Sequence, residues 1–176
     1  MACGEPFSSG RNKNDVIKYV RIAIPIVVLA VVAVFVVLYL TSPQAAVRRI
    51  MDGYRNNDPD AVIESYPEFF MDSVLVDREK WINDIRFSVK VSSQHIHYYE
   101  LEDPQKPSAS ERERLMKDFK LYGGFDFDES DIKDIRIIWV NYDVDFGGVL
   151  PQAGLRFVMI KYEGRWCWWP DIVERY

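Results

Sequence analysis

The sequence predicts an α+β protein in which a single transmembrane helix precedes helices packed on one face of a curved, cone-like antiparallel sheet. Three observations predict it. Residues Ile22–Leu40, IAIPIVVLAVVAVFVVLYL, carry no charge. Between residues 43 and 90, apolar residues recur at helical spacing. From residue 138 onward they alternate, and a Glu-Gly pair divides two strand-like runs. Helices first and a meander last is an α+β order.

Residues 1–20 are mostly small and polar as far as Asn14 and are expected to form a disordered cytoplasmic tail. The apolar run that follows has nineteen residues, which span roughly 28 Å as a helix, close to the hydrocarbon thickness of a bilayer. No polar stripe interrupts it, as one would in a helix lying on a soluble core. The run exceeds the apolar core of a signal peptide, and Gln44 spoils the small-x-small frame before Ala45 and Ala46. An uncleaved signal anchor over residues 21–41 is therefore expected, with Pro25 tolerated in the first turn. Arg11, Lys13, Lys18 and Arg21 lie before it, and Arg48, Arg49 and Arg55 beyond it. That contrast favours a cytoplasmic N-terminus and an extracytoplasmic domain over residues 42–176.

Ser42-Pro43 starts the domain as cap and first helical residue, and Val47, Ile50, Met51 and Tyr54 form one apolar face. Asp58-Pro59 opens a short second helix. Glu68–Val74, bearing Phe69, Phe70 and Met71, is another helical turn. Asp77 caps a helix whose face is Trp81, Ile82, Ile85 and Val89. Gln94–Leu101 reads as a strand closed by Asp103-Pro104. Ser110-Glu111-Arg112-Glu113 is a capping box, and Gly123-Gly124 ends the helix it opens. Ile138, Val140, Tyr142, Val144 and Phe146 alternate with Trp139, Asn141, Asp143 and Asp145. Leu155–Tyr162 and Arg165–Trp169 form a hairpin about Glu163-Gly164.

Composition excludes some functions. The chain's net charge is −5, and residues 1–21 carry +2, which leaves −7 beyond them. So acidic a domain argues against nucleic acid, whose binding rests on neutralising phosphates. The two cysteines, Cys3 and Cys167, lie on opposite sides of the expected span and are read as free thiols. No Gly-rich phosphate loop or nucleophile elbow occurs, and no cofactor is implied.

The helix following a membrane segment, the short helix opened by Asn56-Asn57-Asp58-Pro59-Asp60, and the hairpin Ile160-Lys161-Tyr162-Glu163-Gly164-Arg165-Trp166 resemble the nuclear-transport-factor-2-like superfamily. They resemble in particular its membrane-tethered and lipoprotein members in Gram-positive bacteria. The resemblance covers roughly residues 43–173 in element order and implies a cone, a curved sheet wrapped around helices that often encloses a pocket. It implies no catalytic residue, because no enzymatic motif of the superfamily matches by position. The long chain before the first clear strand and the 103–134 insert depart from its pattern.

Two weak metal candidates are His95 and His97, which would share one strand face, with Asp143 or Asp145 as a third ligand. Two surface or pocket-rim histidines beside tyrosines is the plainer reading. Residues 126–131, DFDESD, resemble the start of a calcium loop, but Asp131 stands where Gly is needed and Ile137 where a bidentate Glu is needed. A solvated turn capping the next segment is expected instead. Tyr142, Asp143, Asp145, Tyr162, Arg165 and Trp169 form the expected ligand or partner surface, with Trp169 on the exposed strand face and Trp166 and Trp168 in the core. The expected function is a membrane-anchored, non-enzymatic domain that binds a protein partner or small ligand. A bitopic scaffold subunit of a secretion or conjugation apparatus, which self-associates, is one alternative. An isomerase- or dehydratase-like enzyme with a carboxylate in the cone is the other.

Overall fold

The computed structural model describes residues 13–124, 127–144 and 152–170, with side chains from residue 24 onward except those of 144, 152 and 153. The chain divides into two compact units, Met1–Tyr39 and Leu40–Tyr176.

Helix α1, Lys13–Leu40, has 28 residues and lies in the first unit except for Leu40. It starts inside the stretch that composition assigns to a tail; Val16, Ile17 and Val20 carry apolar character back into that stretch. From Ile24 to Leu40 every residue is exposed, the large apolar side chains ranging from 47% for Val31 to 69% for Leu29. Among the described residues, no single helix is long and apolar enough to cross a membrane by length and composition.

The second unit is α+β. Its helices are α2 (Pro43–Arg55), α3 (Pro59–Ile63), α4 (Glu68–Met71), α5 (Arg78–Ser92) and α6 (Ala109–Gly123). Strands β1 (Ile96–Leu101), β2 (Ile132–Val144), β3 (Gln152–Tyr162) and β4 (Arg165–Trp169) form one antiparallel sheet in sequence order. Local chemistry sets the helix starts. Ser42 accepts from Ala45 N at 3.2 Å, Asp58 from Ala61 N at 3.2 Å and Asp77 from Lys80 N at 3.0 Å, each satisfying an orphan donor. The cap of α6 is Ser108, which accepts from Glu111 N, and not Ser110. The helix simply starts as soon as Pro107 permits, so Glu111 falls in the first turn, where its carboxylate is drawn to Arg156 on β3. Asp128 caps Ser130 N at 2.7 Å, the solvated turn expected there.

The sheet is covered on both faces, not one. Cross-strand partners share a face. Ile138 with Phe157, Val140 with Leu101 and Leu155, and Met159 with Trp168 therefore define one face. Helix α2 lies over it through Asp52, which meets Tyr99, and Tyr66 after α3 stacks on Trp168 at 5.0 Å. Ile137, Val158 and Trp169, with Ile135, Ile160 and Cys167, define the other. Helix α6 covers that face through Phe119, which meets Trp169 at 4.6 Å, and through the Glu111–Arg156 ion pair. A register shift between Ile132 and Asp134 keeps Ile132 on the same face as Ile135 in spite of their odd spacing.

The edge of β4 is closed by the chain between α3 and α4. Trp168 N donates to the Ser65 carbonyl at 2.6 Å, and Phe69 and Phe70 then wrap onto Trp169. Gly53 lets α2 meet α3 closely; a Cβ there would lie 3.0 Å from both the Asp58 carbonyl and Val62 Cγ2. Glu163 and Gly164 have φ of 48° and 80°, the left-handed pair of a tight hairpin.

Candidate functional site

The expected surface residues do not converge. Tyr142 pairs across the ladder with Tyr99 on the face covered by α2, while the next residue, Asp143, pairs with Tyr98 and points the opposite way. Asp145 lies outside the described residues. Trp169 is core, a correction to its expected exposure: it is 1% exposed and meets Phe69, Phe70, Phe119 and Tyr122. Trp166 and Trp168 are the half-buried ones. The inversion follows from α4 and α6 covering the face that alternation alone leaves to solvent.

The histidines do not share a strand face. His95 sits in the turn after α5, where its N–H donates to the Ser92 carbonyl at 3.0 Å. His97 is exposed and occupies the register shift between Ile96 and Tyr98. A bulge residue falls out of the period-two pattern, so the H-x-H argument loses its premise. Among the described residues, no group of three or more His, Cys, Asp or Glu is placed to hold a metal ion.

Tyr162 and Arg165 are brought together as the pair flanking the hairpin turn. Tyr162 packs edge-on against Phe69 at 5.0 Å; burial, then the neighbouring Glu163 carboxylate, raises its hydroxyl pKa. Arg165 is exposed and donates from Nη1 to the Glu64 carbonyl at 3.4 Å.

Two features escaped the sequence. The Tyr99 hydroxyl donates to Asp52 Oδ1 at 2.9 Å, and Arg55 pairs with the same carboxylate at 3.1 Å. Burial, then the bond to Asp52, pushes the Tyr99 hydroxyl up to about 12. The second feature is a cleft of about 250 Å³ between α2, α3 and the β3–β4 hairpin. Ser42, Arg49, Glu64, Ser65, Arg165 and Trp166 line it. Arg49 pairs with Glu64, and Lys161 Nζ stands 6.0 Å from the Trp166 ring centre. A more open groove lies between Val74, Leu75 and Leu121, with Asp72, Ser73 and Lys120 also in its lining and no guanidinium. The cleft is the better candidate, because it joins polar donors from three elements with an aromatic wall.

No protein-family model, no curated protein and no solved structure matches this chain. Its residues and their geometry therefore carry the functional argument.

Proposed function

We propose that this is a single-pass membrane protein in which α1 anchors an extracytoplasmic α+β domain, and that the domain works by binding a partner or small ligand without catalysis. The apolar surface of α1 carries this reading. Its large side chains from Ile24 to Leu40 are all exposed, while the unit beginning at Leu40 fills its own core. Each such side chain left in water forfeits about 1.5–3 kcal/mol. Ile24–Leu40 extends about 25 Å, and Ile22 and Ala23 continue the same helix, so a bilayer is the natural cover. The basic residues before the run favour a cytoplasmic N-terminus.

Binding is favoured over catalysis because Tyr142 and Asp143 point to opposite faces of β2 and do not form one catalytic group. An isomerase or dehydratase in the cone would need such a group inside. The self-associating scaffold draws support from Phe87 and Val91, exposed one turn apart on α5. The likeness to nuclear-transport-factor-2-like proteins stays part of this proposal, resting on the α3 opening and the final hairpin.

Alkaline carbonate extraction of cells making the full chain tests the anchor; the protein is expected in the membrane pellet. Release into the supernatant sinks the reading. A reporter fused after Tyr176 tests orientation: activity on the cytoplasmic side alone would reverse the topology.

A further inference from the structure

The cleft beside Ser42 is an electropositive spot on an acidic domain. Beyond residue 21 the sequence carries a net −7, being −5 overall less the +2 of residues 1–21. Yet the cleft's charged lining is two guanidiniums, Arg49 and Arg165, against one carboxylate, Glu64. The Arg49–Glu64 pair is weak, since its side chains are 62% and 61% exposed and water screens it. Arg165 uses one Nη1 in a long 3.4 Å bond to a carbonyl, from a group with five donors. Guanidinium forks fit phosphate oxygens bidentately, and two forks offer more donors than one exposed carboxylate can accept. The Ser42 hydroxyl, which accepts from Ala45 N, still has its own proton to donate.

The cleft follows the end of α1 directly in the chain. Thr41 alone separates Leu40 from Ser42, and two residue steps reach at most about 7 Å. Trp166 under Lys161 is the aromatic-basic pairing that suits a membrane–water interface. We propose that this cleft binds the phosphate of an anionic membrane lipid, with Arg49 and Arg165 gripping its oxygens and Trp166 and Lys161 lying in the headgroup layer. This deepens the anchored-binder reading and rests on it. Glu64 pairs with Arg49 at the cleft, and the lipid phosphate displaces that carboxylate.

The test is native mass spectrometry of the full chain in a neutral detergent, with phosphatidylglycerol or phosphatidylcholine added. Phosphatidylglycerol is expected to be retained about tenfold better, a difference of about 1.4 kcal/mol. The double variant R49Q/R165Q should bring the two lipids level. Glu64→Gln, which removes the competing carboxylate, should raise the preference further. Equal retention by the parent chain, an undiminished preference in R49Q/R165Q, or a weaker one in Glu64→Gln overturns the proposal. Excess inorganic phosphate separates the sources: if it abolishes the preference, the site takes free phosphate and the lipid assignment is wrong. Failure in carbonate extraction rejects the anchor itself. A pelleted chain without lipid preference rejects only the headgroup site.

Discussion

Replacing Trp169 by Ala should unfold the domain at a markedly lower denaturant concentration. The indole is 1% exposed. Its ring meets Phe119, Phe70 and Tyr122 edge-on at 4.6, 5.4 and 5.5 Å and stacks with Phe69 at 5.8 Å. A buried aromatic of this size removes roughly 150–250 Å² from water, which is about 4–6 kcal/mol at 25 cal/mol per Å². An extended reference chain overstates that area, and Ala keeps the Cβ, so about 3–5 kcal/mol is the expected loss. For a domain of this size the midpoint of thermal unfolding should fall by roughly 10–20 °C. Urea titration of the full chain in detergent, followed by circular dichroism, reads the free energy directly. Trp139→Ala is the control. Trp139 is 40% exposed on the same face, so the same reckoning gives it about 2–3 kcal/mol, less than Trp169. A Trp169→Ala protein within 1 kcal/mol of its parent, at about the scale of surface substitutions, would place Trp169 on the surface after all. So would a costlier Trp139 variant.

Two further changes probe the same packing. Gly53→Ala inserts a methyl 3.0 Å from the Asp58 carbonyl and from Val62 Cγ2, so these neighbours must give by a few tenths of an ångström. The expected cost is about 1–3 kcal/mol in the same titration, and a neutral result would mean the helices do not meet there. Burial pushes the Cys167 thiol up from 9.0 to about 11. Because the folded value exceeds the unfolded one, its contribution is complete below pH 9 and is lost as pH rises to about 11. Stability measured across that window should fall less for Cys167→Ala than for the parent; parallel curves would show the thiol is not buried on folding.

Local chemistry was readable; what covers a surface was not. Ser42, Asp58 and Asp77 could be assigned because a cap needs only a side-chain oxygen and an N–H three residues on. The Glu163-Gly164 turn was readable for a similar reason. The sequence RWCWW is apolar on both sides, so its alternation separates Cys167 and Trp169 from Trp166 and Trp168 without saying which pair is covered. That depends on α6, tens of residues away. His97 misled because a bulge belongs to a pair of strands and leaves no mark on either alone. The cleft was invisible for the plainest reason: Arg49 lies 15 residues from Glu64, and Arg165 lies 101 from it.

The sheet edges narrow where a partner can act. An exposed aromatic edge at β4 would invite strand addition, but Ser65 occupies the Trp168 N–H and α4 wraps the end of the strand. At β1 the shift at His97 bends the ladder, and Glu100 adds an exposed charge, two devices that discourage edge-to-edge pairing. Recognition by strand addition is therefore disfavoured at both ends of the sheet. Side-chain surfaces remain open, among them the exposed face of α5 with Phe87 and Val91, and the cleft of Arg49 and Arg165. One is apolar and suits a protein; the other is cationic and suits an anion. On the proposed anchoring, the apolar face is left for a protein while the cationic cleft takes the lipid phosphate, with Thr41 alone between Leu40 and Ser42.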